Sequence, residues 1–152
     1  MSEMPKTGDQ APEFEAQTYG GEKIRLSDYK GKTNVALYFY PKDNTPGCTK
    51  EACSMRDGMD SLKELGVQVL GVSTDGITAH ENFRDKFDLN FPLLSDKSKK
   101  IITAYGVESE YGSARRITFL IDKTGVVRYV WMKVKTSAHS EEVAEKVKEL
   151  GL

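Results

Sequence analysis

Two cysteines carry the strongest chemical signal in this chain. Cys48 and Cys53 are its only thiols, and they lie five positions apart. Cys48 follows the loop Pro41-Lys42-Asp43-Asn44-Thr45-Pro46-Gly47 and stands where a helical pattern begins. The unpaired N–H groups of a first helical turn and the positive end of the helix dipole favour an anion, and a thiolate is such an anion. The sequence therefore predicts a nucleophilic thiolate at Cys48.

A thiolate alone can supply only part of the reactivity of such a site. Lowering the pKa of a thiol from about 8.5 to about 6 raises its thiolate fraction at pH 7 by about 30-fold at most, and the less basic sulfur is a weaker nucleophile. A faster reaction needs donors that stabilise the departing oxygen of the electrophile. The sequence offers the Thr45 hydroxyl, the backbone N–H groups near Gly47 and Cys48, and an arginine brought in from elsewhere.

The spacing of the two cysteines restricts how they can pair. If both lie on one unbroken helix, their Cα atoms are about 8.6 Å apart. A disulfide needs Cα atoms closer than about 7 Å. Cys48 and Cys53 can therefore act as a redox couple only if the start of the helix unwinds.

The sequence leaves one other use of Cys53 open and disfavours two further kinds of site. Cys53 could be a small buried hydrophobic residue. A structural zinc site would need four ligands, and His80 and His139 lack ligand spacing, so both are expected on helix surfaces or caps. The spacing C-x4-C also differs from the C-x-x-C of thioredoxin-type disulfide exchangers.

Apolar runs and stripes predict the elements that must position these groups. Residues 34–40 and 67–73 are near-continuous apolar runs, which is typical of strands covered on both faces. Residues 48–65 have a helical apolar stripe, and Gly66 is placed to end that helix. The stripe consists of Met55, Met59, Leu62 and Leu65.

The later helices are predicted from their apolar spacing and their caps. Thr78 and Glu81 have the spacing of a capping box for a second helix, and Ser140 is expected to cap the last one. A short helix is expected between them and stops at Gly106. The apolar residues that these helices turn inward are Phe83, Phe87, Ile101, Ile102, Tyr105, Val143, Val147 and Leu150.

Two hairpins complete the predicted architecture. Residues 14–18 and 22–26 indicate an N-terminal β-hairpin, and residues 117–121 and 126–130 flank the turn Asp122-Lys123-Thr124-Gly125. The order of elements predicts an α/β protein with a mixed central β-sheet flanked by helices. Because the chain has 152 residues and no repeat or linker segment, one domain over residues 1–152 is expected.

Charge balance and apolar run length exclude several classes of function. Lys and Arg number 22 and Asp and Glu 23, so no basic surface for nucleic acid is indicated. The longest apolar run, residues 35–40, is far shorter than the roughly 20 residues that a membrane span needs. The N-terminus has no apolar segment typical of a secretion signal, and the expected location is the cytoplasm.

A longer motif surrounds Cys48. Pro41, Thr45 and Cys48 form the pattern Pro-x-x-x-Thr-x-x-Cys, followed by the acidic Glu51. This pattern resembles that of the peroxiredoxin family, and the second cysteine five positions on resembles its bacterioferritin-comigratory, or Q-type, branch. The likeness extends over about residues 9–130 through further blocks. They are Leu26-Ser27-Asp28-Tyr29-Lys30-Gly31-Lys32, Gly71-Val72-Ser73 with Asp75, the segment from His80 to Asp96, and Arg116 with Thr118-Phe119-Leu120-Ile121-Asp122.

The resemblance implies a thioredoxin-like fold and a peroxidase that uses neither a cofactor nor a metal. It implies that Cys48 is the peroxidatic nucleophile and that Cys53 is the resolving thiol, which forms an intramolecular disulfide with it. It also implies a peroxide substrate and recycling by thioredoxin or a similar dithiol reductant. The branch is often monomeric, so a monomer is expected, and a dimer stays open.

The resemblance also implies roles for residues around the sulfur. Thr45 would hydrogen-bond the thiolate and the peroxide, and Pro41 would shield the sulfur from water. Arg116 would supply positive charge, and Gly47 would lie with Thr45 and Arg116 at the substrate. Because side chains alternate along a strand, only one of Arg115 and Arg116 is expected in the pocket, and the motif favours Arg116.

The chain departs from the branch at two places, and two other functions stay open. Ala79 stands where the branch commonly has a serine before the histidine, and residues 108–113 are less typical of it. One alternative is a thiol–disulfide oxidoreductase that acts on proteins, against which the missing C-x-x-C counts. The other is a redox sensor or binding module in which disulfide formation melts the helix and changes a partner surface.

Overall fold

A seven-stranded mixed sheet forms the centre of the protein in this computed structural model, which describes residues 3–152. The strands lie in the order β2-β1-β5-β4-β3-β6-β7. β4 pairs in parallel with both β3 and β5. β3 is antiparallel to β6, and the pairs β2–β1, β1–β5 and β6–β7 are antiparallel as well. Their bounds are β1 Glu15–Gln17, β2 Lys23–Arg25, β3 Asn34–Phe39, β4 Val67–Ser73, β5 Leu93–Ser95, β6 Ile117–Ile121 and β7 Val127–Trp131. The mixed sheet and both predicted hairpins are confirmed.

Four α-helices cover the sheet, and they pack into two apolar clusters. Their bounds are α1 Pro46–Glu64, α2 Ile77–Phe87, α3 Lys100–Ala104 and α4 His139–Leu150. β3 is buried along its whole length because it contributes to both clusters. Its odd-numbered residues face the cluster that includes α3, and its even-numbered residues face the cluster that includes α1 and α4. This two-sided burial is the physical reason for the uninterrupted apolar run in the sequence.

The predicted apolar stripe of α1 packs as expected. Met55 and Leu62 are fully buried and Met59 is nearly so. Leu65 follows the helix at its C-terminal cap, and Gly66 adopts the left-handed conformation (φ +74°) that ends it. No helix among residues 3–152 is long and apolar enough to cross a membrane.

The two predicted helix caps are wrong. α2 begins at Ile77 without a side-chain cap, and the Glu81 carboxylate instead accepts a hydrogen bond from the Gly20 N–H at 3.0 Å. α4 begins at His139, so Ser140 lies inside the helix, where its hydroxyl is 3.2 Å from that of Ser54. In both cases a side chain that the local pattern assigned to the helix end instead interacts with a residue distant in sequence.

The surface positions expected for the two histidines are also wrong, because both side chains are fully buried. His80 lies with Nδ1 2.6 Å from Asp43 Oδ2, and its Nε2–H donates to the Leu94 carbonyl at 3.0 Å. His139 begins α4, with Nε2 2.8 Å from Thr118 Oγ1 and Nδ1 2.9 Å from Glu142 Oε1. Burial is tolerated because every ring nitrogen has a partner.

Candidate active site

Cys48, the predicted nucleophile, lies at the third position of α1. Thr45 precedes the helix and Pro46 is its first residue, a place that suits the fixed φ of proline. The first helical hydrogen bond runs from the Thr49 N–H to the Thr45 carbonyl, so the N–H groups before Thr49 have no partner within the helix. Cys48 is 1% exposed and belongs to the same buried cluster as Tyr38 and Tyr40. The helix terminus predicted for Cys48 is confirmed.

One guanidinium joins the cysteine to a buried carboxylate. Arg116 lies just before β6, and its Nη2 donates to Cys48 Sγ at 3.3 Å while its Nη1 donates to Glu51 Oε1 at 2.7 Å. Burial on its own would lower the pKa of Arg116. The interactions with Cys48 and Glu51 are together stronger and raise that pKa, so the guanidinium stays charged. Arg115 is exposed on the other side of the chain. The structure therefore brings Arg116, and not Arg115, to the sulfur.

Gly47 makes room for that guanidinium. A Cβ atom built on Gly47 would lie 3.0 Å from Arg116 Nη2, which is tighter than an ordinary contact. The residue before the cysteine is therefore small for a steric reason, and Gly47 does lie beside Arg116 as the resemblance implied.

Thr45 and Pro41 lie on the loop before α1. The Thr45 hydroxyl donates to the Lys42 carbonyl at 2.8 Å, so in this state its proton is used within the loop and not on Cys48 Sγ. The oxygen of that hydroxyl keeps a lone pair that can accept a further hydrogen bond. Pro41 is half-buried at the end of β3, and its shielding of the sulfur stays a prediction.

A buried network that the sequence did not reveal anchors this loop. Asp43 accepts hydrogen bonds from the Tyr40 hydroxyl at 2.6 Å and lies 2.6 Å from the His80 ring. The Asp43 N–H donates to Asp75, which also accepts from Ser73 at 2.6 Å. The loop that bears Thr45 is thus tied to the end of β4 and to α2. The only sequence signal was that Ser73, Asp75 and His80 belong to the blocks of the family likeness.

The same network contains the one group of possible metal ligands found among residues 3–152. Ligand atoms of Asp43, Asp75 and His80 lie within 4.8 Å of one another. Both nitrogens of His80 already have hydrogen-bond partners, and both carboxylates accept hydrogen bonds from neighbouring groups. These hydrogen bonds fit a structural role for the three side chains, which tie the loop before α1 to β4 and α2.

Glu51 is an unusual acid for the interior of a protein. Its side chain is fully buried, and its second oxygen, Oε2, has no hydrogen-bond partner. Burial raises its pKa from 4.5 to about 7 against the lowering effect of Arg116, and the charge of Glu142 raises it further. The Tyr38 hydroxyl is also buried without a partner, and burial together with the charge of Glu51 raises its pKa.

Cys53 lies on the same unbroken helix as Cys48. Both are free thiols, Cys48 buried and Cys53 partly exposed. Helix geometry separates their Cα atoms by about 8.6 Å, beyond the reach of a disulfide. The expected requirement for unwinding therefore applies to α1 as it stands in the structure.

Comparisons with known proteins find relatives over most of the chain. Residues 7–130 match the sequence model of the AhpC/TSA family. A putative peroxiredoxin Bcp of Coxiella burnetii (strain RSA 493 / Nine Mile phase I) is 48% identical over 145 residues, which cover 91% of this chain and 95% of that protein.

Two solved structures show the same fold. A cysteine-to-serine variant of Xylella fastidiosa PrxQ matches with a TM-score of 0.91 and 33% identity, over 100% of both chains. The Xanthomonas campestris bacterioferritin comigratory protein, in a study of its alkyl peroxide reduction activity, matches with a TM-score of 0.85 and 32% identity over 91% of this chain and 92% of that one. These matches confirm the thioredoxin-like fold. The chain belongs to the AhpC/TSA family and, within it, to the peroxiredoxins of the Bcp or Q type.

Proposed function

We propose that this protein is a thiol peroxidase that reduces hydrogen peroxide and organic hydroperoxides at Cys48. The observation that carries the proposal is the contact of Arg116 Nη2 with Cys48 Sγ at 3.3 Å, at the N-terminus of α1. A positive group donates to one buried sulfur there, and the N–H groups of Gly47 and Cys48 have no partner within the helix. Such donors favour the thiolate and also stabilise charge that develops on a nearby oxygen.

In the first step the Cys48 thiolate attacks one oxygen of the peroxide. The S–O bond forms as the O–O bond breaks, and the departing oxygen leaves as water or an alcohol after it takes up a proton; the product on the enzyme is Cys48 sulfenic acid. In our proposal, Arg116 and the N–H groups near Gly47 stabilise the departing oxygen. Because the Thr45 hydroxyl donates to Lys42, its free lone pair can accept the O–H of the incoming peroxide.

In the second step Cys53 resolves the sulfenic acid. The first turns of α1 unwind, the Cys53 sulfur displaces the hydroxyl from Cys48, and a disulfide and one water result. An external dithiol, in our proposal thioredoxin, then reduces the Cys48–Cys53 bond by exchange.

The choice of substrate and setting rests on the family. The study of the Xanthomonas campestris relative concerns alkyl peroxide reduction by that protein, which supports organic hydroperoxides here. We propose that the enzyme acts as a monomer in the cytoplasm.

The test is peroxide consumption coupled to thioredoxin, with single replacements of the two cysteines. Cys48→Ser is expected to abolish consumption, and retained turnover in that variant would reject the proposal. Cys53→Ser is expected to consume about one equivalent of peroxide rapidly and then stop. Peptide mapping after one equivalent of peroxide should find a linked Cys48–Cys53 species in the unmodified protein only.

A further inference from the structure

Glu51 lies inside the segment that must unwind, between the two cysteines. It is fully buried in the wound helix, and its Oε2 atom has no hydrogen-bond partner. A buried carboxylate with an unpaired oxygen is costly, because the charged form loses its hydration and only part of that loss is recovered. When residues 48–53 unwind, Glu51 leaves the interior and regains water. The wound and unwound forms of α1 therefore differ in how well they tolerate the charge of Glu51.

We propose that ionisation of Glu51 loosens the first turns of α1 and so controls how readily Cys53 reaches the oxidised Cys48. A protonated Glu51 holds the helix wound, and an ionised Glu51 favours the unwound form. The residue would thus set the rate of the resolving step without touching the peroxide. The link to that step rests on the proposed function, whereas the opening of the helix does not.

The groups that face Glu51 come from four elements. Arg116, before β6, donates to its Oε1 at 2.7 Å and favours the ionised form within the helix. Tyr38 from β3 is a neutral neighbour whose buried hydroxyl lacks a partner. Cys48 shares the Arg116 guanidinium, so a thiolate there competes for the same positive charge. α4 contributes Glu142, a like charge, and His139, which lies 2.9 Å from Glu142.

The balance of these groups leaves Glu51 hard to ionise in the wound helix. One guanidinium contacts both Glu51 and Cys48, and the charge of Glu142 adds repulsion. Burial, the largest cause, raises the pKa of Glu51 from 4.5 to about 7 despite Arg116. A group with a raised pKa in the closed form stabilises that form at low pH and loses this effect as pH rises through the raised value. The wound helix is therefore expected to weaken between about pH 4.5 and 7.

Amide hydrogen exchange of the reduced, full-length protein without peroxide tests the opening directly. Protection factors at residues 49–53, whose N–H groups bond within the helix, are expected to fall from pH 5 to pH 8 after correction for intrinsic exchange. The limit over this range is about 70-fold, because a pKa change from 4.5 to about 7 allows about 300-fold in all and about 4-fold of it lies below pH 5. Glu51→Gln should flatten this dependence. Glu64→Gln, the same change at an exposed position of the same helix, should keep it.

A second variant keeps the test sharp if Glu51→Gln folds poorly. Glu142→Gln removes the like charge. It retains an oxygen that can accept a hydrogen bond from the Lys135 N–H and lie beside His139 Nδ1. It is expected to move the midpoint of the pH dependence to lower pH. Protection that is independent of pH in the unmodified protein, or equal pH dependence in Glu51→Gln and Glu64→Gln, would overturn the inference. An equal loss of protection throughout β3 and β4 would overturn it too, because the opening would then be global.

The coupling to catalysis is read from single turnovers. After one equivalent of peroxide, alkylation at timed intervals and mass spectrometry separate sulfenic acid from disulfide. Disulfide formation should accelerate with pH more steeply in Glu64→Gln than in Glu51→Gln, and both variants keep the Cys53 thiol, so its own titration cancels in the comparison. A protein that shows the pH-dependent opening but consumes no peroxide would reject the proposed function and leave the helix inference standing.

Discussion

At the scale of single residues, the shape of one side chain matters as much as its charge. Arg116 reaches Glu51 with Nη1 and Cys48 with Nη2, two contacts of 2.7 and 3.3 Å that diverge from one planar group. A lysine ammonium is a single compact charge and cannot present two fixed donors in these directions. The fork therefore holds the Cys48 sulfur and the Glu51 carboxylate in fixed positions relative to each other.

Replacing Arg116 by lysine is expected to lower the rate constant for peroxide reduction by about 10²-fold or more, the typical effect of losing a preorganised donor. The neighbouring Arg115→Lys is the matched control, because Arg115 is exposed and contacts neither group. Stopped-flow measurement of the first oxidation would check both. Equal rates for the two variants would show that position 116 supplies only charge.

At the scale of elements, what could be predicted follows from local patterns. The apolar run of β3 and the apolar stripe of α1 could be predicted from the sequence, because the pattern of burial follows the geometry of each element. The predicted caps at Thr78 and Ser140 are wrong because residues distant in sequence bind the side chains concerned. The Glu81 carboxylate accepts from the Gly20 N–H, and the Ser140 hydroxyl lies beside that of Ser54. The His80–Asp43 contact could not be predicted for the same reason, since it joins α2 to a loop 37 residues away.

The two glycines inside α1, Gly47 and Gly58, lie in different surroundings. Replacing one is expected to affect activity, and replacing the other to affect stability. A Cβ on Gly58 would lie 2.5 Å from Ser140 Cβ, an atom that no side-chain rotation can move. The gain of about 1 kcal/mol from replacing glycine in a helix is then outweighed by overlap of about 1–3 kcal/mol. Gly47, in contrast, faces only the end of a flexible arginine side chain.

Gly58→Ala is therefore expected to lower the free energy of unfolding by about 1 kcal/mol, measured by chemical denaturation. Adding Ser140→Gly should recover part of that loss, since it removes the clashing atom. Gly47→Ala should leave the free energy of unfolding nearly unchanged and slow peroxide reduction by about tenfold, because it displaces Arg116. A Gly58→Ala variant as stable as the unmodified protein would mean that α1 and α4 can move apart at little cost.

At the scale of the whole molecule, two buried groups on neighbouring helices oppose each other in their response to pH. Burial raises the pKa of Glu51 to about 7, so the folded state binds more protons than the unfolded state and loses stability as pH rises. Burial lowers the pKa of His139, against the raising effect of Glu142, so the folded state binds fewer protons and gains stability as pH rises towards 6.5. The two slopes have opposite signs between about pH 5 and 6.5.

This opposition predicts what each replacement does to the pH dependence of global stability. Glu51→Gln removes a falling contribution of at most about 3 kcal/mol, so the free energy of unfolding should rise more steeply, or fall less, from pH 5 to 7 than in the unmodified protein. His139→Gln removes the rising contribution, so its free energy of unfolding should fall more steeply over the same range. Denaturation curves at several pH values compare slopes, which do not depend on how much each substitution destabilises the fold. Parallel curves for both variants and the unmodified protein would mean that neither group changes its proton affinity on folding, and the electrostatic account of α1 and α4 would then be wrong.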